Sequence, residues 1–249
     1  MLISHRHRFI FLKTQKTAGT AIEIALRALL LDPADVITPV SAEDERLSRE
    51  LGRPGPRNFR APLHHYSGRD LARLLGRAKL SKRFYNHIPA AQVKAQLPSR
   101  IWDGYLKISV ERNPFDKAIS SYYWRTRKQR QPVPLAEYVR TCPTSELSNW
   151  AVYTINDTPV TDVMLRYETL QDDLVALSAR LGLEQPLALP QQRPKGDHRQ
   201  DRRPWQEVLD AASQERIALV CAREILALNY TMPPTMPPTA TPSAQPQRP

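Results

Sequence analysis

Lys16 is followed by Thr17, Ala18, Gly19 and Thr20, and Lys13 opens the same stretch, 13–20. A lysine beside small residues at the entry to a helix is a place to hold an anion. The first amides of a helix have no partner within it, and the aligned peptide dipoles add partial positive charge. Ala18 and Gly19 would let a ligand approach the backbone, and Lys16 supplies a full charge. Arg112 lies behind the apolar run Tyr105-Leu106-Lys107-Ile108-Ser109-Val110 and ahead of Asn113-Pro114. Its guanidinium could fork onto a phosphate or pair with Asp116. His87 carries an imidazole, whose ordinary pKa lies near neutrality.

These groups need strands and helices to place them. Phe9-Ile10-Phe11-Leu12 reads as a strand, and Ile22, Leu26, Leu29 and Leu30 recur at helical spacing, so 13–20 is predicted to be a strand-to-helix turn. Residues 105–110 predict a central strand that delivers Arg112 to its end. Asn113 then suits an N-cap, Pro114 the first helical position and Asp116 the first turn. On that helix Phe115, Ile119, Tyr122 and Tyr123 share one face, leaving Asp116, Lys117, Ser120 and Ser121 towards another. Residues 83–86 read as a brief strand ending at His87, with Pro89 opening a helix over 90–97. A capping box at 67–70 predicts a short helix to Gly76, further helices are expected at 135–140, 146–153, 170–181 and 214–228, and 163–166 reads as a last core strand. The alternation points to an α/β fold with a central, mainly parallel sheet flanked by helices. In such folds ligands bind beyond the carboxyl ends of the strands, where 13–20, His87 and Arg112 all fall.

A chain of 249 residues with 41% hydrophobic residues suits one globular domain, here 1–230. Within it, 41–62 carries Pro54, Gly55, Pro56 and Pro62 and reads as a variable surface loop with at most a short helix. The Pro- and Thr-rich stretch 231–249 lacks apolar periodicity and reads as a disordered tail. A net charge of +11 calls for an anionic partner: a nucleotide, an acidic glycan, nucleic acid or a membrane surface. Cys142 and Cys221 form no disulfide framework and no metal-ligand spacing, and no apolar stretch is long enough to span a bilayer, since Glu23 and Arg27 interrupt the best one. A reducing, cytoplasmic setting is the simplest expectation.

The order Lys-Thr-Ala-Gly-Thr behind an N-terminal strand differs from a Walker A loop, whose lysine follows its glycine. It resembles the 5′-phosphosulfate loop of sulfotransferases that use 3′-phosphoadenosine 5′-phosphosulfate (PAPS). The run from Val110 to Tyr123, with Arg112 at a strand end and Ser120 eight residues on, is similar to the 3′-phosphate segment of the same superfamily. Leu165-Arg166-Tyr167-Glu168-Thr169-Leu170 resembles the segment whose aromatic ring lies near the adenine, and 193–199 looks like the late basic loop that closes on the 3′-phosphate. Within the superfamily the chain looks most like the carbohydrate branch that includes uronosyl 2-O-sulfotransferases.

The resemblance implies a P-loop-like three-layer fold and a sulfuryl transfer from PAPS, as co-substrate, to a hydroxyl acceptor, expected to be a glycan. It implies that Lys13, Lys16, Thr17, Ala18, Gly19, Thr20, Arg112, Ser120, Tyr167, Lys195 and Arg199 bind PAPS, with Lys16 also catalytic. His87 is placed as the base, with His64 and His65 as competitors, and no metal is required. Glu111 departs from the pattern, where an apolar residue commonly precedes the arginine, and it would lower the local positive potential. Two other classes stay open: a P-loop-related ATP-dependent kinase, and a basic nucleic-acid-binding protein, although no nucleic-acid motif is visible and nucleic acid is not the expected partner.

Overall fold

The computed structural model of the chain describes residues 1–61, 81–191 and 199–233. It opens with β1 (Leu2–Ser4), an antiparallel neighbour of β2 (Phe9–Leu12), which the basic composition of the first eight residues does not announce. Every residue of both strands is buried, as expected for strands covered on both faces. The chain then enters α1 (Gly19–Leu26), which tightens into a 3₁₀ turn at Arg27–Leu29, and reaches the short β3 (Val36–Ile37). Inside the charged 41–62 stretch, α2 (Ala42–Glu50) forms because Ser41 accepts a hydrogen bond from the Asp44 amide and Glu43, Asp44 and Glu45 favour the positive end of the helix dipole.

The next described elements are α3 (Ala90–Gln96) and α4 (Ser99–Gly104), the latter unanticipated. They lead to β4 (Leu106–Glu111) and then to α5 (Pro114–Thr126), whose Asn113 side chain accepts from the amides of Phe115 and Asp116. The chain continues through α6 (Leu135–Thr141), α7 (Thr144–Leu147), α8 (Trp150–Tyr153) and the hairpin of β5 (Thr154–Ile155) and β6 (Thr158–Pro159). Then come β7 (Val163–Arg166), a 3₁₀ turn at Tyr167–Thr169, α9 (Leu170–Arg180), α10 (Trp205–Val208), α11 (Ala211–Val220) and α12 (Ala222–Ala227).

The sheet has the order β3-β1-β2-β4-β7. Its β2, β4 and β7 pair in parallel, whereas β1 and β3 are antiparallel, so the sheet is mixed around a parallel centre. Alternate residues of β2 feed opposite cores. Phe9 and Phe11 pack with Ile22, Leu26, Leu170, Leu174 and Leu177, while Ile10 and Leu12 pack with Phe84, Ile88, Val93, Trp102 and Tyr153. Helices therefore flank both faces. A third apolar cluster joins α5 to α6, α10 and α11 through Phe115, Tyr138, Trp205 and Ile217, with Phe115 stacked on Trp205 at 4.1 Å between ring centroids.

Several expected elements differ. Residues 83–86 form no strand, because the amides of Arg83 and Phe84 both donate to the Phe59 carbonyl and Phe84 is used as a buried anchor. The helix expected at 146–153 is broken at Ser148 and Asn149, and the one expected at 214–228 starts earlier, at an Asp210 cap, and breaks at Cys221. Met232 packs on the third cluster, so the start of the supposed tail belongs to the fold. The helix expected at 67–76 lies outside the described residues. Among the described residues no helix is long and apolar enough to cross a membrane.

Candidate functional site at the carboxyl edge of the sheet

Parallel pairing sets Leu12 beside Ser109 and Glu111 beside Arg166. The segments that leave β2, β4 and β7 therefore emerge at one edge, and the expected turn, Arg112 and Tyr167 emerge there with them. The turn between β2 and α1 is held from below. The hydroxyls of Thr14 and Thr17 are 2.8 Å apart, and the Thr14 hydroxyl donates to the Val110 carbonyl of the neighbouring strand. Lys16 and Ala18 both take the left-handed conformation, with φ of 60° and 61°. Such geometry costs a non-glycine residue about 1 kcal/mol or more, so the surroundings must impose it. No side chain caps α1, which leaves its first amides directed at the turn.

Gly19 has a different use from the one expected. A Cβ there would lie 3.0 Å from Lys13 Cγ and 3.2 Å from the Thr14 carbonyl oxygen, so the missing side chain makes room for the turn's own packing. Lys13 likewise turns inward. It is buried, and its Nζ is 2.8 Å from Glu23 Oε2. The same carboxylate meets the Met1 amino group at 3.4 Å and Arg27 at 3.0 Å. Burial alone would raise the pKa of Glu23, but these three basic groups, Lys13 foremost, bring it down to about 2, while burial lowers the Met1 amino group to about 5. Lys13 thus braces the turn from beneath. Lys16 lies higher, with its Nζ 4.8 Å from the Trp124 ring centroid, and Arg127 covers that ring at 3.5 Å.

At the end of β4, the Arg112 guanidinium stacks over the Tyr167 ring at 4.1 Å. The pair with Asp116 that the sequence allows is not formed, because Arg199 takes Asp116 at 2.6 Å. The remaining nitrogens of Arg199 donate to the carbonyls of Asp201 and Arg203, so this residue, expected to grip a phosphate, serves to tie down 199–203. Ser120 is half-buried two turns into α5. Lys117 and Ser121, expected on the same face as Ser120, are buried: Lys117 pairs with Glu111 at 3.1 Å, and the Ser121 and Tyr138 hydroxyls are 3.0 Å apart. Lys195, His64 and His65 lie outside the described residues.

Glu111 does not face the ligand edge. It is fully buried, and its Oε1 accepts from Lys117, from the Arg112 amide at 3.0 Å and from Asn149 Nδ2 at 3.1 Å. Burial raises its pKa, and the Lys117 charge opposes that rise. Asn149, which the sequence reading did not single out, also accepts from the Gln15 amide at 2.9 Å and donates to the Gln15 carbonyl at 3.1 Å. The available signal was the polar pair Ser148-Asn149 interrupting an otherwise helical pattern.

His87 reaches this edge from the loop before α3. Its backbone is left-handed, with φ of 61°, and its Nδ1 is 3.0 Å from the Lys13 carbonyl oxygen. A carbonyl only accepts, so Nδ1 carries the proton and Nε2 keeps its lone pair. Burial, helped by the nearby Lys13 charge, lowers the pKa to about 4, well below the near-neutral value expected of an exposed imidazole. The structure therefore brings 13–20, His87, Arg112 and Tyr167 together, keeps Lys13 under the turn and commits Arg199 elsewhere.

No family model matches the chain. Over 104 residues, 40% of this chain and 87% of the other, it is 27% identical to an uncharacterized protein of Archaeoglobus fulgidus. No solved structure matches it.

Proposed function

We propose that the protein is a sulfotransferase of P-loop-like fold that moves a sulfuryl group from PAPS to a hydroxyl acceptor. One observation carries this reading: a lysine-bearing turn, a strand-end arginine and a histidine whose Nδ1 is held by the Lys13 carbonyl lie at the carboxyl edge of the parallel strands. The donor set suits a ligand phosphorylated at two places, since the uncapped amides of α1 with Lys16 and the guanidinium of Arg112 follow the ends of the neighbouring strands β2 and β4.

PAPS, when bound, supplies a sulfuryl group joined to a phosphate leaving group. The first-turn amides of α1 hold the 5′ end, and Arg112 with Ser120 grips the 3′-phosphate, which ATP lacks. Lys16 balances charge gathering on the leaving phosphate oxygen. His87 takes the acceptor's proton at Nε2 while the acceptor oxygen bonds to sulfur and the sulfur–oxygen bond to phosphate breaks. Lys13 and Arg199 have structural roles in this scheme. Lys16 lies over the Trp124 ring that Arg127 also covers, and exposed Lys128 and Arg130 follow Arg127 just beyond α5, a basic and aromatic stretch that suits an acidic glycan as acceptor.

The test is transfer from labelled PAPS by the wild type and by Lys16→Ala, Arg112→Ala and His87→Ala. Removing the base should lower kcat by roughly 10²–10⁴-fold, and removing Lys16 by roughly 10²–10³-fold. Unchanged activity in Lys16→Ala overturns the reading of the turn. Calorimetry should show tight binding of adenosine 3′,5′-bisphosphate and weak binding of ATP; the reverse order would make the protein an ATP-dependent enzyme.

A further inference from the structure

Beneath the candidate site, two side chains form a continuous hydrogen-bonded bridge between its two phosphate-facing segments. Asn149 is 2% exposed and sits where α7 gives way to α8. Its amide group closes on the backbone of Gln15, with Oδ1 accepting from the amide at 2.9 Å and Nδ2 donating to the carbonyl at 3.1 Å. The same Nδ2 donates to Glu111 Oε1 at 3.1 Å, and that oxygen accepts from the backbone amide of Arg112 at 3.0 Å. The bridge therefore runs from the backbone immediately before Lys16 to the backbone of Arg112.

Its outer ends are fixed. The Asn149 backbone N–H donates to Glu224 Oε1 at 3.2 Å, and Lys117 Nζ pairs with Glu111 at 3.1 Å, so the bridge is anchored on α12 and α5 as well as on the sheet. A carboxamide is the group this place requires. It presents one acceptor and two donors in a plane, which matches a peptide's N–H and C=O together with one carboxylate oxygen. A buried carboxylate in place of Asn149 would face both the Gln15 carbonyl and Glu111.

We propose that Asn149 is a positioning residue that sets the distance between the Lys16 turn and Arg112, and so selects ligands carrying phosphates at both ends. This inference rests on the sulfotransferase reading above. A ligand that spans two grips gains affinity only when both engage at once, and a small displacement of one grip removes that gain without removing either.

The experiment compares the full chain with Asn149→Ala for three probes in calorimetry: adenosine 3′,5′-bisphosphate, adenosine 3′-monophosphate and adenosine 5′-monophosphate. In the wild type the bisphosphate should bind far more tightly than either monophosphate. In Asn149→Ala that advantage should shrink by roughly tenfold or more, while each monophosphate keeps its affinity within roughly threefold. A merely structural residue would weaken all three alike or none, and either pattern overturns the proposal. If Asn149→Ala does not fold, Asn149→Ser carries the same comparison, since serine still suits the start of α8 but is too short to span Gln15 and Glu111. A wild type that fails to prefer the bisphosphate overturns the functional reading instead, and amide exchange at Gln15 then separates the two: unchanged protection in the variant removes the bridge as well.

Discussion

His87 shows how one residue's chemistry is set by its neighbours. The left-handed backbone at this position turns the ring back so that Nδ1 can donate to the Lys13 carbonyl, and that bond selects the tautomer with a basic Nε2. Burial and Lys13 then depress the pKa to about 4. The pH dependence follows with a definite sign. Above pH 4 the ring is neutral and able to take a proton, so kcat/KM should stay level from pH 8 down to about 5 and fall only as pH approaches 4. An acid limb centred at 6.5, the ordinary histidine value, would show that the ring is solvated or is not the base. The same depression affects stability: the unfolded ring binds its proton from 6.5 downward and the folded ring does not, so this group favours unfolding progressively as pH falls from 6.5 to 4.

At the scale of elements, the turn between β2 and α1 rests on two buried polar clusters. One joins Lys13, Glu23, Arg27 and the amino group of Met1, and ties α1 to both β1 and β2. Glu45 of α2 extends it by pairing with Arg27 at 2.9 Å. The other joins Glu111, Lys117, Asn149 and Glu224 and ties the turn to β4, α5 and α12. In the first cluster Glu23 holds Lys13 and the Met1 amino group as well as Arg27, which Glu45 also pairs, so removing its charge takes a buried carboxylate away from all three. Glu23→Gln should therefore cost about 3–5 kcal/mol, read as a lower denaturant midpoint with an unchanged slope. A loss below about 1 kcal/mol would mean that water reaches the cluster. Because the pKa of Glu23 is depressed to about 2 from 4.5, its stabilising charge is fully present above 4.5 and is lost as pH falls through 2.

Across the whole molecule, the net charge of +11 has been distributed by the fold into different uses. Lys13, Arg27 and Lys117 are buried and paired, and Arg199 anchors a loop. Arg127, Lys128 and Arg130 remain exposed just beyond α5, and Arg127 shares the Trp124 ring with Lys16. A polyanionic acceptor held by this stretch should bind with steep salt dependence. On the proposed reading, raising ionic strength from about 0.05 to 0.2 M shortens the screening length and should raise the acceptor's KM several-fold, with a much smaller effect on the KM for PAPS. A salt-independent KM for an acidic glycan would move the acceptor site away from this stretch. Arg127→Ala with Arg130→Ala should flatten the salt dependence while leaving affinity for adenosine 3′,5′-bisphosphate unchanged.

Local patterns were enough to locate the turn at 13–20, the strand carrying Arg112 and the Asn113-Pro114 helix start, because caps and apolar periodicity act over a few residues. They also indicated an α/β architecture with ligand-facing groups at strand ends. The antiparallel β1 was not legible, since three apolar residues ahead of a basic turn become a strand only when β2 and β3 lie beside them. Nor was the difference among charged residues of one type. Lys13 and Lys16 are three positions apart and chemically identical, yet one braces the turn through Glu23 and the other lies over Trp124. Arg112 and Arg199 divide in the same way, because Asp116 can be reached by either and the fold gives it to Arg199. Sequence by itself determined which residue types stand near a strand end. Tertiary structure alone decided which partner each of these charges meets, up to 83 residues away, because electrostatic pairing depends on distance in space and on exclusion of water rather than on separation along the chain.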